Sequence, residues 1–394
     1  MGARVFSTPE PNDLDQEVLD LIDQLRQDLR HRVAEPRRWI GSLRRMTFVR
    51  AVQGSNSIEG YDASLDDVAA AVDGEPTLEA SAETQLALAG YRDAMTYVLQ
   101  VGQDDGATID EGLLKALHFM MLRHDLSKSP GRWRPGYIAI RNDGTGQLVY
   151  EGPEAERVSG LIRAMLDELE LNDAPVLILA AMAHLNLVMI HPFRDGNGRM
   201  ARALQTLVLA KEQTFAPVFS SIEEYLGRNT QAYYDVLGEV GQGAWCPERD
   251  ARPWVRFCLV AHYRQARTHL RRIEEIENLW TECLSLTEQH GLPERAAGGL
   301  ADAAMGFRLR NSTYRTLVEV TAGEEISELT SSRDLKAMVD ATLLQPIGEK
   351  RGRHYVADLA LKELRGRIRS TRTPRDDHDP FTLAVRRRQL TLTD

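Results

Sequence analysis

A mainly α-helical protein is predicted, interrupted by a β-hairpin near the middle and a small helix–turn–helix and hairpin unit towards the C-terminus. Three observations predict it. Apolar residues recur at three- and four-residue steps, as in Leu19, Ile22, Leu25 and Leu29, which places them on one helix face. Ala, Leu, Glu and Arg dominate the first hundred residues. Strand-like runs are confined to residues 137–150 and 345–356, each built around a glycine-containing turn.

The elements follow in order. Proline and polar residues fill positions 1–13, and a helical region then reaches Val101; together they make an N-terminal region over 1–104. At Ser129-Pro-Gly-Arg-Trp-Arg-Pro-Gly136 two prolines and two glycines break the helical pattern. Tyr137–Arg141 and Gln147–Tyr150 flank the turn residues Asn142-Asp-Gly-Thr-Gly146, so a hairpin is expected there. Helical composition resumes near Glu154. The run from Val176 to Ile190 has polar breaks only at His184 and Asn186, as suits a helix buried on most sides. A further helix follows Met200, and an amphipathic segment over 253–290 closes a core assigned to 105–290. Gly291, Pro293 and Gly298-Gly299 suggest a linker before a compact unit within 300–360, and 361–394 reads as a polar tail.

With 394 residues the chain is long enough for two or three domains. No stretch approaches the ~18 uninterrupted apolar residues of a membrane span, and the N-terminus lacks a signal-like apolar core, so a cytoplasmic protein without membrane contact is expected. Cys246, Cys258 and Cys283 form no C-x-x-C pair, which removes disulfide and zinc-finger frameworks. A formal net charge of -10 argues against non-specific coating of nucleic acid.

The chemistry is concentrated in His191-Pro-Phe-Arg-Asp-Gly-Asn-Gly-Arg-Met-Ala-Arg202, between two predicted helices. Gly196 and Gly198 let backbone N–H groups approach a ligand, and the following helix adds its positive end, giving a concave anion site suited to phosphates. Arg199 and Arg202, three apart, share a helix face and can hold phosphate oxygens bidentately. A carboxylate at Asp195 would repel phosphate unless a cation intervened, so magnesium bridging the two is inferred. His191 can accept a proton from an incoming hydroxyl, while Phe193 anchors the loop in the core.

This segment resembles the Fic motif, H-x-F-x-[D/E]-G-N-G-R-x-x-R, at every defined position. The resemblance implies a helical Fic core over roughly 105–265 and AMP transfer from ATP to a Tyr, Thr or Ser hydroxyl of a target protein, with self-modification as an expected readout. It implies that His191 activates the hydroxyl and Asp195 binds magnesium. Gly196, Asn197 and Gly198 would cradle phosphate, and Arg199 and Arg202 would take the β- and γ-phosphates. Glycine after Asn197 favours AMP transfer over phosphate transfer. The 137–150 hairpin looks like the family's flap, which would dock a target segment by strand addition along Ile138, Ile140, Leu148 and Val149. Tyr233-Tyr234 falls where relatives carry aromatic residues.

Upstream, Ser55-Asn-Ser-Ile-Glu-Gly60 resembles the family's inhibitory motif, [S/T]-x-x-x-E-[G/N]. Ser55, Glu59 and Gly60 fill its defined positions. Glu59 near Arg202 would put a carboxylate where the ATP γ-phosphate belongs. Gly60 suits a helix C-terminus. The resting enzyme is therefore expected to be held in check by its own N-terminal helix.

Residues 305–358 resemble a winged helix of the kind appended to Fic proteins. Arg333, Lys336, Lys350, Arg351 and Arg353 could meet DNA phosphates, but Asp334, Asp340 and Glu349 dilute that charge, so a protein-facing module is favoured over DNA. Two rival readings stay open: a hydrolase that removes AMP with the same loop, and a nucleotide-sensing winged-helix regulator. A homo-oligomer is among the options for assembly.

Overall fold

The computed structural model describes residues 3–34, 37–141, 144–211, 217–349, 352–375 and 378–391. Of the residues singled out above, Asn142, Asp143, Lys350 and Arg351 lie outside that set.

Local signals start the N-terminal helices. In α1 (Asp13–Ala34) the Asn12 side chain accepts from Asp15 N while Asp15 Oδ2 accepts from Asn12 N, each at 3.0 Å, a reciprocal cap. Ser64, Ser81 and Asp110 cap α3 (Leu65–Val72), α4 (Ala82–Val101) and α5 (Glu111–Leu122) through their side-chain oxygens. Between α1 and α3 runs α2 (Ile40–Ile58), which is followed by Glu59. After α6 (Val158–Leu171), α7 (Val176–Ile190) runs through the centre, buried on nearly every side, and packs on α8 (Asn197–Lys211).

The two polar breaks in α7 are satisfied internally. Asn186 grips the backbone of Phe6, accepting from its N at 2.9 Å and donating to its O at 3.1 Å, which pins the N-terminal segment to the core. His184 bonds Gln205 of α8 at 2.6 Å and the Tyr233 hydroxyl at 3.1 Å. Short helices α9 (Glu223–Arg228) and α10 (Thr230–Gly241) lead to α11 (Arg252–Gln289), whose Trp254 donates to Ala181 O of α7 at 2.7 Å.

The hairpin pairs β1 (Ala139–Arg141) antiparallel with β2 (Leu148–Glu151), with an irregularity after Ile140. Tyr150 is buried, and its hydroxyl donates to Met189 O at 2.8 Å, which ties the hairpin to the end of α7.

The stretch expected to be a linker is instead α12 (Ala296–Ala304), in which Gly298 and Gly299 are buried. The glycines serve close packing: a Cβ on Gly298 would stand 2.8 Å from Thr321 Oγ1, and one on Gly299 2.9 Å from the Tyr314 ring. Then come α13 (Asn311–Ala322), α14 (Glu328–Asp340) and the antiparallel pair β3 (Leu344–Ile347) and β4 (His354–Ala357). Nor is 361–394 simply a polar tail. It carries most of α15 (Leu359–Thr371), which buries Leu361, Leu364 and Ile368, and α16 (Pro380–Thr391), which packs on α1. Its arginines hid a usable apolar spacing. Among the described residues, no helix is long and apolar enough to cross a membrane.

Candidate active site

The loop from His191 to Gly196 joins the end of α7 to the start of α8. His191 itself takes a left-handed conformation, φ 53° and ψ 58°, uncommon for a residue with a Cβ and found where surrounding structure enforces it. Its Nδ1 lies 3.1 Å from Val188 O. A carbonyl only accepts, so Nδ1 holds the proton and Nε2 is the basic nitrogen. Burial lowers the imidazole to about 4, with Arg134 adding to that shift and the Val188 contact opposing it. The ring is therefore neutral near pH 7.

The loop is fixed from several sides. Phe193 is buried and stacks on His118 at 3.7 Å between centroids. His118 Nε2 donates to Asp195 O at 2.9 Å while Nδ1 accepts from Gly131 N at 2.8 Å, and burial pushes it down to about 4. Arg134 donates from Nε to His191 O and from its backbone N to Pro192 O, both at 2.8 Å. It also reaches Gly136 O and Pro153 O, so it clamps the loop to the base of the hairpin. Neither His118 nor Arg134, more than fifty positions away in the chain, carries a local sequence signal.

Asn197 opens α8, and its buried side chain brackets the loop: Oδ1 accepts from Phe193 N at 2.8 Å and Nδ2 donates to Phe193 O at 3.0 Å. The side-chain amide thus shapes the turn, and the backbone N–H at Asn197 stays available to an anion. Gly196 has φ +74°, and a Cβ there would stand 3.0 Å from Leu122 Cδ1. Gly198 adjoins Glu59, since a Cβ there would lie 2.4 Å from Glu59 Oε1.

The two arginines differ. Arg202 is buried and fully engaged: Nε donates to Ser55 Oγ at 2.7 Å, and Nη2 to Ser55 O at 3.0 Å and Glu59 Oε1 at 2.6 Å. Arg199 is equally buried and lies over the Tyr61 ring at 5.0 Å, yet its Nε and Nη1 find no hydrogen-bond acceptor among the described residues. A buried guanidinium left this way is costly unless an anion completes it.

Glu59 follows α2 at a Schellman cap: Gly60 N donates to Ser57 O and Tyr61 N to Asn56 O, each at 3.1 Å, with Gly60 at φ +81°. Tyr234 of α10 donates to Ile58 O at 3.1 Å and braces the same helix end.

Asp195 is half-buried. Burial opposes its ionisation, but Lys128 Nζ at 3.0 Å from Oδ2 and Gly196 N at 2.7 Å from Oδ1 hold it below the usual carboxylate range. Among the described residues, no group of three or more His, Cys, Asp or Glu could hold a metal by themselves. One carboxylate beside an anion site suits magnesium arriving with phosphates, which needs only one or two protein carboxylates.

Residues 108–209, which contain the loop, match the model of the Fic/DOC family. The segment that carries the loop is therefore similar to the Fic/DOC family. It is 29% identical over 268 residues to the protein adenylyltransferase Fic of Nematostella vectensis, covering 65% of this chain and 56% of that protein. It is 28% identical to protein adenylyltransferase fic-1 of Caenorhabditis elegans, covering 67% and 48% respectively. The chain thus spans about half the length of the curated relatives it matches. A Fic family protein from Desulfovibrio desulfuricans shares the fold at a TM-score of 0.53 and 24% identity, covering 91% of this chain and 98% of that one.

Of the hairpin residues expected to dock a target, Ile140, Leu148 and Val149 are exposed, whereas Ile138 is half-buried just before β1.

Proposed function

We propose that this Fic protein transfers AMP from ATP to a hydroxyl side chain of a target protein, and that Glu59 holds the resting site shut. The observation that carries the reading is Arg199, a buried cation with two nitrogens lacking acceptors, set beside the glycine-rich start of a helix. The two relatives named above are protein adenylyltransferases, which supports the same activity here.

In the transfer, Nε2 of His191 takes the proton of the target hydroxyl, and the oxygen attacks the α-phosphorus. The bond to the β-phosphate breaks and pyrophosphate leaves. Backbone N–H groups at Gly196 to Gly198 and the Arg199 guanidinium meet the phosphate oxygens as charge develops. Magnesium, when bound by Asp195 with the nucleotide, would neutralise phosphate charge; Lys128 would give up its pairing to admit it. The exposed apolar side chains of the hairpin suit docking of an extended target segment by strand addition.

Glu59 sits over Gly198 and pairs with Arg202, in the space the reading assigns to the terminal phosphates. Breaking one partner of a buried pair leaves the other uncompensated, so Glu59→Gly would leave Arg202 seeking an anion. The C-terminal unit, read as a winged helix, is proposed to face protein. Lys336 is neutralised by Asp340, while Asp334 is turned inward onto Arg295 rather than diluting surface charge as the sequence suggested.

The test is label transfer from α-labelled ATP with magnesium, scored as self-modification of wild type, Glu59→Gly and Glu59→Gly/His191→Ala. Label should rise by about tenfold or more in Glu59→Gly and vanish in the double variant. Equal labelling of wild type and Glu59→Gly would remove the brake. No label in any variant that binds ATP would turn the reading towards AMP removal.

A further inference from the structure

A hollow walled by arginines lies away from the Fic loop. It measures about 390 Å³ and is walled by α2, α9, α11 and α15. Arg50 comes from α2, Arg228 from α9, Arg271 and Arg272 from α11, and Arg365 and Arg369 from α15. Arg372 and Arg375 continue the wall just beyond α15, for eight arginines in all. This concentration sits in a chain whose formal net charge is -10.

Setting aside Arg375, which has a partner of its own, two carboxylates among the described residues answer the other seven cations. Glu224 is gripped bidentately by Arg272, also meets Arg228, and lies 3.8 Å from Arg50. Glu275 meets Arg372 at 2.7 Å and Arg365 at 3.5 Å. Seven guanidiniums against two carboxylates leave five positive charges formally unanswered among the described residues of the group. Nε of Arg50 and Nε of Arg271 are buried without a hydrogen-bond partner among the described residues. Burial and the adjacent Arg272 push Arg50 down to about 10 against the pull of Glu224, and burial also lowers Arg228, Arg271 and Arg365. Like charges held this close raise the energy of the empty arrangement, which an anion of matching charge would relieve.

We propose that this hollow is a binding site for a small, multiply charged phosphate compound of the oligophosphate class. Size and chemistry both select that class. A volume of about 390 Å³ falls in the range of small-molecule sites and is too small for a nucleic-acid duplex. Planar guanidinium forks match phosphate oxygens, and a single monophosphate would leave most of the charge unanswered.

The site also shares a helix with the Fic loop. Arg50 stands nine residues before Glu59 on α2, about 13 Å along the axis. Between them, Ser55 accepts from Arg202 and bonds Glu223, the neighbour of Glu224.

The test is calorimetric titration of the full chain with inorganic tripolyphosphate, without divalent cations, alongside thermal unfolding. Wild type should bind, and Arg369→Gln/Arg372→Gln should bind about tenfold or more weakly while melting normally without ligand. Arg199→Ala should keep the binding event that the rim variants weaken, whatever it loses at the Fic loop, which separates the two sites. If the double variant melts early, Arg369→Gln alone serves, since that side chain is 52% exposed at the rim. No binding by wild type up to about 1 mM would overturn the proposal. Loss in Arg199→Ala with unchanged affinity in the rim variants would also overturn it.

Discussion

His191 shows how much one residue's environment decides. Sequence places an imidazole at the start of the loop, with an ordinary value near 6.5. Structure adds burial, which lowers it to about 4, and the contact with Val188 O, which selects the tautomer. A base already neutral at that pH gains nothing as pH rises through 6.5. Label transfer by Glu59→Gly should therefore be nearly flat from about pH 6 to 8 and fall only as pH approaches about 4. Initial rates across that range check it, and a half-loss at pH 6.5 would show a freely solvated ring. His191, Asp195 and the two arginines were legible because they stand within twelve consecutive positions. Lys128 and Arg134 were not, because each reaches the loop from a distant segment and neither position has a local pattern.

At the scale of elements, the helix proposed to inhibit, α2, depends on a close crossing. A Cβ on Gly54 of α2 would stand 2.5 Å from Glu223 O and 2.9 Å from Glu224 Cα, and one on Gly227 would meet Gly54 O at 2.6 Å. The backbones of α2 and α9 touch there, and neither glycine can be replaced without moving a helix. Gly54→Ala should cost about 1–3 kcal/mol of stability, read as a lower urea midpoint at constant slope. An unchanged midpoint would mean that the two helices slide freely. The existence of α2 was readable from composition and its end from Gly60. Its crossing partner was not, since Gly54 and Gly227 are far apart in the chain and carry no pairing signal.

Across the whole molecule, five histidines are buried with lowered values: His118 and His191 at about 4, and His184, His262 and His269 at about 3. Burial is the main cause in each. Unfolded imidazoles take up protons as pH falls through about 6.5 while the folded ones do not, so the unfolded state binds more protons and stability declines towards low pH. Each contributes about 1.4 kcal/mol per pH unit between its two values. Asp302, raised to about 6 by burial, works in the opposite sense, as do Glu223 and Asp66, which burial also raises, but these are three groups against five. Urea midpoints should fall steeply between about pH 7 and 5. A constant midpoint would mean that these rings are hydrated.

What the sequence determined by itself was whatever is local: helical periodicity, the hairpin turn, the cap at Gly60, and two short motifs whose chemistry follows from residues side by side. Tertiary structure decided what depends on distant segments meeting. It joined Glu59 to Arg202, clamped the loop with His118 and Arg134, turned an apparent linker and tail into packed helices, and gathered eight arginines around one hollow. The physical reason is that a backbone pattern needs only its neighbours. Burial, charge clustering and close helix crossings exist only once the chain has folded and brought separate elements together.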